Sequence, residues 1–192
     1  MKVAHGILGT ALLLGVSGVA QAGGSVSGGI GWRHLGGSDW RAIGAESQPT
    51  LGVLTDIELG HSPLYATVSG QVSASDIDDD IVDDGVAAVF DLAVGLKLMA
   101  RQGMFRPYAA AGLTSTGVAV SYDDEDGDES DDSDQTFGYF VGAGGQFHIG
   151  RHFVTGIDAR WILGTDKLDF DGPHEDGDSF VAMATFGFAW GE

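Results

Sequence analysis

The chain has 192 residues, 43% of them hydrophobic, and a formal net charge of -19 at pH 7. A chain this acidic lacks the basic surface that nucleic acids require, so the charge excludes a nucleic-acid-binding protein. The apolar content is too high for a disordered acidic protein, and the fold must therefore separate the apolar residues from the acidic ones.

The first residues of the chain resemble a secretory signal peptide. Lys2 provides a positive charge, the apolar stretch Ile7–Ala20 follows, and the tripeptide Ala20-Gln21-Ala22 is a small-residue cleavage site. We therefore expect residues 1–22 to be removed and residues 23–192 to form a single domain. The sequence contains no cysteine, so disulfides cannot stabilise this exported domain, and a closed hydrogen-bonded sheet could do so instead.

Hydrophobic residues recur with a period of two along the rest of the chain. In LYATVSGQVSAS, apolar and small residues alternate with Tyr, Thr, Ser and Gln, which predicts a strand with two different faces. The same alternation predicts eight strands, near Ser25–Arg33, Thr50–Gly60, Leu64–Ser75, Val86–Met99, Pro107–Tyr122, Gln135–Ile149, Phe153–Leu163 and Ser179–Trp190.

The connections between these strands alternate in length. Three are short turns, and the other four are long, near Arg33–Pro49, Asp76–Gly85, Asp123–Asp134 and Gly164–Asp178. In an up-and-down barrel, alternate connections lie at opposite ends, so all the long ones share one end. They hold 23 of the 28 acidic residues, whereas Arg101, Arg106 and Arg151 lie in the short turns. The sequence therefore predicts an anionic end and a basic end.

The composition of the two faces indicates that the apolar face looks outward, towards lipid. The other face consists mostly of Gly, Ala, Ser and Thr, which suits the narrow interior of an eight-stranded barrel better than a water-exposed surface. In the fifth strand, the outward set is predicted to be Tyr108, Ala110, Val118, Val120 and Tyr122. Aromatic residues near the strand ends are typical of the girdles of membrane barrels; these are Trp32, Tyr108, Tyr122, Phe153, Trp161 and Trp190.

In these features the chain resembles the small bacterial outer-membrane β-barrel proteins of the OmpA/OmpX type and the porin-like outer-membrane barrel group. Segments such as RPYAAAGL and GIDARWILG, and the final strand SFVAMATFGFAW, carry the resemblance. It implies an all-β fold, an eight-stranded antiparallel up-and-down transmembrane barrel, in the cell outer membrane. It also implies outer-membrane lipid, lipopolysaccharide and the outer-membrane assembly machinery as partners.

A few charged residues fall on the predicted inward face. Asp158 and Arg160 are two residues apart on one strand and therefore point the same way. We expect Arg160 and Lys97 to pair with inward carboxylates, since buried charges need partners, and so to help fill the lumen. The predicted interior network consists of Asp56, Glu58, Asp91, Lys97, Asp158 and Arg160.

Two acidic segments, DDEDGDES and DFDGPHEDGD, have the closely spaced carboxylates of calcium-binding loops but not EF-hand spacing. We expect no cofactor and no specific metal site, with weak Ca²⁺ or Mg²⁺ binding at most. The candidate residues are Asp123, Asp124, Asp126, Asp128, Asp169, Asp171, Asp176 and Asp178. No histidine of residues 23–192 shows a nucleophile and base pattern, so we expect no enzyme.

The sequence thus predicts a monomeric, non-enzymatic outer-membrane barrel with a filled lumen and acidic extracellular loops, serving a structural or surface role. Two alternatives stay open: a narrow small-solute channel or receptor, and a secreted soluble lipocalin-like barrel that binds a ligand.

Overall fold

The computed structural model describes residues 23–36, 46–79, 82–123, 129–165 and 178–191; within these ranges the side chains of 76–79, 82–85, 120–123 and 129–133 are not described. The predicted signal peptide lies outside the described residues. Within them, no helix is long and apolar enough to cross a membrane. The strands are β1 (Gly24–Leu35), β2 (Ser47–Glu58), β3 (Leu64–Asp79), β4 (Val82–Met99), β5 (Phe105–Asp123), β6 (Glu129–Ile149), β7 (Phe153–Leu163) and β8 (Ser179–Trp190).

The eight strands form one closed antiparallel barrel. Each strand pairs with its neighbours in the chain, and β1 pairs with β8 from Gly24↔Trp190 to Leu35↔Ser179. Closure leaves no open sheet edge around the barrel wall. The hydrocarbon core of a membrane requires this, because it cannot hydrogen-bond to the backbone groups of an open edge. The predicted fold class, an eight-stranded up-and-down barrel, is confirmed.

The connections define two ends of the barrel. The turn end carries the short connections 59–63, 100–104 and 150–152, and both Gly24 and Trp190 lie there. Each of these turns contains a glycine with positive φ, namely Gly60, Gly103 and Gly150. Glycine adopts this conformation without steric cost, so it can close a tight turn. The loop end carries the other four connections.

Two of the predicted long loops are mostly strand. β3 and β4 pair as far as Asp79↔Val82, and β5 and β6 pair as far as Asp123↔Glu129, so only residues 80–81 and 124–128 separate them. β3 to β6 have 16 to 21 residues each, against 11 or 12 in the other strands. The sequence analysis assigned these segments to loops because acidic residues have a low strand propensity. In the structure, pairing within each hairpin outweighs that propensity.

The predicted faces are correct in seven strands and wrong in β5. Tyr108, Ala110 and Val118 point into the barrel and are buried, whereas Ala109 and Leu113 point outward. Small apolar residues occupy both faces of this strand, so its alternation did not distinguish the faces. The side chains of the other two residues of the predicted outward set are not among those described.

Gly112 lies where two strand backbones come close together, opposite Gly95 of β4. A methyl group built on Gly112 would overlap the carbonyl oxygen of Val94 and lie 2.7 Å from a ring carbon of Phe140. Because backbone atoms cannot move aside cheaply, we expect Gly112→Ala to lower the free energy of unfolding by roughly 1–3 kcal/mol. Urea unfolding in lipid vesicles, followed by tryptophan fluorescence, measures this change.

Gly28 of β1 provides the matched control, since a methyl group built there meets no atom within 4 Å. Gly28→Ala should leave stability unchanged or raise it by up to about 1 kcal/mol, because alanine reduces the entropy of the unfolded chain. Equal losses in the two variants would show that close packing at Gly112 is not the cause.

Candidate functional site: the side chains inside the barrel

Among the residues that the structure describes, three ion pairs lie inside the barrel, at successive distances from the turn end. The first, the turn-side pair, joins Lys97 and Asp56, whose side chains are almost completely buried. Lys97 Nζ donates to Asp56 Oδ2 over 2.6 Å, and Ser25 Oγ and Gln146 Nε2 each donate to the same oxygen over 3.3 Å. The ammonium group also lies 4.2 Å from the ring centre of Tyr108, so it combines an ion pair with a cation–π contact.

The central pair is formed within one strand by Asp158 and Arg160 of β7. Arg160 Nε donates to Asp158 Oδ1 over 2.6 Å, and Tyr108 Oη donates to Asp158 Oδ2 over 2.6 Å. The guanidinium group also donates to Ser69 Oγ across the lumen and lies 5.2 Å from the ring centre of Phe140. These contacts connect β7 with β3, β5 and β6 through the barrel interior.

The loop-side pair joins Arg33 of β1 to Asp91 of β4. Arg33 also donates to Ser73 Oγ over 2.9 Å and to Ser179 Oγ over 3.4 Å, while Thr116 Oγ1 donates to Asp91 Oδ1 over 2.7 Å. Arg33 is fully buried. The sequence prediction missed it because Arg33 lay at the predicted end of the first strand; its place in the alternation, on the same face as Ser25 and Ser27, was the available signal.

Apolar side chains fill the space between the ion pairs. The larger of two buried clusters consists of Leu54, Ala93, Ala110, Phe140, Ile162, Val181 and Met183. A second cluster near the turn end consists of Tyr65, Met99 and Tyr108. The interior is therefore packed with apolar side chains and paired charged groups, together with small polar residues of the kind that the composition predicted, among them Thr50, Ser69 and Thr116.

Charge inside the barrel is balanced among the described residues, because each buried carboxylate has a buried cation. Pairing offsets much of the cost of removing the charges from water, but a buried ion pair contributes little net stability. Removing one partner is different, since it leaves an uncompensated charge in the interior. The pairs therefore fix how the lumen is filled more than they stabilise the barrel.

Glu58 does not belong to this interior set, although the sequence placed it there. It lies at the last position of β2, at the turn end, where its carboxylate is 2.8 Å from Arg101 Nη2. Arg101 also donates to the carbonyl oxygen of His61 over 2.7 Å. The alternation gave the correct face for Glu58 but could not show that the strand ends there, so this residue meets the rim instead of the lumen.

A small cavity of about 20 Å³ opens at the turn end of the lumen. Its lining residues include Glu58, His148, Ser25, Gln146 and Met99. His148 of β6 therefore faces the lumen near this end. A cavity of this size holds about one water molecule.

The outward face is a band of exposed apolar side chains with aromatic residues near both ends. Trp32 and Trp161 lie towards the loop end and Phe153 lies at the turn end, each about half exposed. Trp190 is less exposed and lines the small cavity at the turn end. Tyr108 was wrongly assigned to this girdle, since it lies inside the barrel; the side chain of Tyr122 is not described.

Most of the predicted cation-binding residues lie outside the described residues: Asp124, Asp126, Asp128, Asp169, Asp171 and Asp176. Asp123 ends β5, and its side chain is not described. Asp178 is described, and its Oδ1 accepts hydrogen bonds from the backbone N and the hydroxyl of Thr165, both over 3.2 Å. The described part of the chain contains no cluster of metal-ligating side chains, and weak Ca²⁺ or Mg²⁺ binding stays a prediction.

A closed eight-stranded barrel with an apolar, aromatic-rimmed exterior and a filled polar interior has the architecture of a transmembrane β-barrel. The chain belongs to the family described as "Outer membrane protein beta-barrel domain", which matches residues 8–190. The predicted resemblance to small outer-membrane barrels is thereby confirmed, and the soluble lipocalin-like alternative is not supported.

Solved structures show the same fold at low sequence identity. OprG from Pseudomonas aeruginosa is 13% identical, with a TM-score of 0.63 over 90% of this chain and 98% of its own. Ail from Yersinia pestis, solved with the heparin analogue sucrose octasulfate, is 13% identical, with a TM-score of 0.62 over 88% and 99%. Neisserial surface protein A is 12% identical, with a TM-score of 0.61 over 88% and 97%. No curated protein matches the chain significantly.

Proposed function

We propose that this protein is a non-enzymatic outer-membrane barrel with a sealed lumen, and that it acts at the cell surface through its loop end. The observation that carries the proposal is the interior itself. Three ion pairs and an apolar cluster occupy the lumen, and the charged groups bind one another. A permeation path would need charged or polar groups directed at a solute, whereas the charged groups of this lumen bind one another in ion pairs.

The proposed orientation places the loop end outside the cell and the turn end in the periplasm, after export and removal of residues 1–22. The four segments predicted as long connections contain 23 of the 28 acidic residues, whether they continue the strands or connect them at the loop end, so the outer surface would be anionic. Lipid and lipopolysaccharide would surround the barrel, and the outer-membrane assembly machinery would insert it as a monomer. Ail was solved with a sulfated ligand, but an acidic surface would repel a polyanion of that kind.

A planar-bilayer recording tests the sealed lumen against the narrow-channel alternative. The wild-type protein should show no steady conductance, because the central pair and Phe140 block the path. Arg160→Ala should introduce brief openings, since it removes the guanidinium group that crosses to Ser69.

Leu113→Ala is the matched control for this recording, because Leu113 is 68% exposed on the outer face. It should be as silent as the wild type. A steady wild-type conductance that Arg160→Ala abolishes would contradict the proposal and favour a channel that uses Arg160 to bind its solute.

A further inference from the structure

The carboxylate of Asp56 is hydrogen-bonded on one side only. Lys97, Ser25 and Gln146 all donate to Oδ2, whereas Oδ1 is buried and has no hydrogen-bond partner among the described residues. Asp56 is 1% exposed. A buried carboxylate oxygen left without a donor carries the full cost of its desolvation, so this site calls for a further donor.

Two more buried oxygens at the same place have no partner within the described part of the chain. Thr67 is the cross-strand partner of Asp56, and its hydroxyl is unpaired. Gln146 reaches Asp56 with Nε2, and its Oε1 is unpaired. Two acceptors and one hydroxyl match a water molecule, which can donate twice and accept once. A metal cation suits the site less well, because the Lys97 ammonium group already neutralises the carboxylate.

The site has a route to solvent at the turn end. Ser25 and Gln146, which both bind Asp56, also line the small cavity at that end. Asp56 itself lies two residues from the end of β2. Water from the turn side therefore needs to pass only the first layer of interior side chains to reach the unpaired oxygens.

The route for water ends on the loop side of this first layer. The central pair, with Tyr108 bound to Asp158, lies next along the lumen, and the apolar cluster that includes Phe140 and Met183 follows. Thr114 lies beyond the ring of Phe140: it follows Gly112, which packs against that ring, by two residues in the direction of the loop end. Its hydroxyl is also buried and unpaired within the described residues, but it is separated from the turn-end cavity.

We propose that Asp56, Thr67 and Gln146 form a water-binding site that fills from the turn end alone, so that the lumen is a one-sided vestibule closed by the central pair. Small hydrogen-bonding solutes of the size of water would reach Asp56 from this side. The one-sidedness rests on the sealed lumen proposed above; the water site itself does not.

Silver ion tests the vestibule, because it is about as small as water and reacts with thiols, and the wild-type chain has no cysteine. Thr67→Cys and Thr114→Cys are a matched pair of buried threonines, and His152→Cys in an exposed turn is the reactive control. The full chain is folded into phosphatidylcholine vesicles in nitrate buffer, and trypsin cleavage at Arg101 and Arg151 reports which side carries the turns. Silver is added outside or enclosed inside, and intact mass spectrometry counts the bound ions.

We expect Thr67→Cys to react from the turn side at least tenfold faster than from the loop side, and at least tenfold faster than Thr114→Cys does from the turn side. Ser25→Cys, which faces the same cavity, repeats the measurement if Thr67→Cys does not fold. No reaction from either side while His152→Cys reacts would overturn the water site and leave the sealed lumen intact. Reaction of Thr67→Cys from the loop side alone would overturn the vestibule and the sealed lumen together, because silver would have passed the central pair. Similar rates for both variants from both sides would overturn the vestibule and the sealed lumen together.

Discussion

Replacing Asp158 with alanine should lower the free energy of unfolding by about 3–5 kcal/mol, because it leaves a buried cation uncompensated. Arg160 is 2% exposed and would lose the acceptor of its Nε group, and Tyr108 Oη would lose its 2.6 Å partner. The contacts of Arg160 with Ser69 and the Phe140 ring would stay, but neither carries a negative charge. Equilibrium urea unfolding in lipid vesicles measures the loss.

The control for this prediction removes both charges together. The double variant Asp158→Asn, Arg160→Met keeps most of the side-chain volume and leaves no buried charge at the centre, so it should cost clearly less than Asp158→Ala alone. A double-mutant cycle completed with the two single variants gives the coupling energy. Additive single losses would refute the view that the two groups act as a pair.

Replacing Val94 with arginine should lower the free energy of unfolding by about 2–4 kcal/mol, the cost of a charge on the lipid face near the middle of a membrane. Val94 is 58% exposed, and its outward neighbours on β4, Leu92 and Leu96, are also apolar and exposed. Urea unfolding of the variant in vesicles, compared with the wild type, measures the change.

His152→Arg is the control, because it places the same side chain in an exposed turn at the end of the barrel. Its effect should stay within about 0.5 kcal/mol, as is usual for exposed sites. If Val94→Arg cost no more than this control, the apolar band would not face hydrocarbon, and the membrane placement of the barrel would be wrong.

The alternation of the sequence was sufficient to predict the architecture, because a strand with one lipid face and one interior face must repeat every two residues. It failed in β5, where RPYAAAGL presents small apolar residues on both faces and the Tyr108 hydroxyl donates a hydrogen bond to Asp158 inside the barrel. No local pattern distinguishes a girdle tyrosine from an interior one, since the difference lies in Asp158, 50 residues further along the chain.

The pairing of the interior charges could be predicted only in part. The Asp158–Arg160 pair follows from their spacing on one strand, but Lys97–Asp56 and Arg33–Asp91 depend on register and strand tilt across several strands. The same limit applies to Glu58, because a residue on the inward face of a strand can lie in the lumen or at the rim of the barrel. Strand ends and heights in the barrel are set by pairing, which a single alternating segment does not encode.

The pairing of β1 with β8 affects how the barrel must be assembled. Seven of the eight strand contacts join neighbours in the chain and can form as local hairpins, but the last joins Gly24 to Trp190. Until β8 has paired with β1, the sheet has two unpaired edges, and each would leave backbone groups without hydrogen bonds in hydrocarbon. We therefore expect closure to be the slow, long-range step of folding, and we expect the first strand to be protected by a temporary pairing partner until the last strand pairs with it.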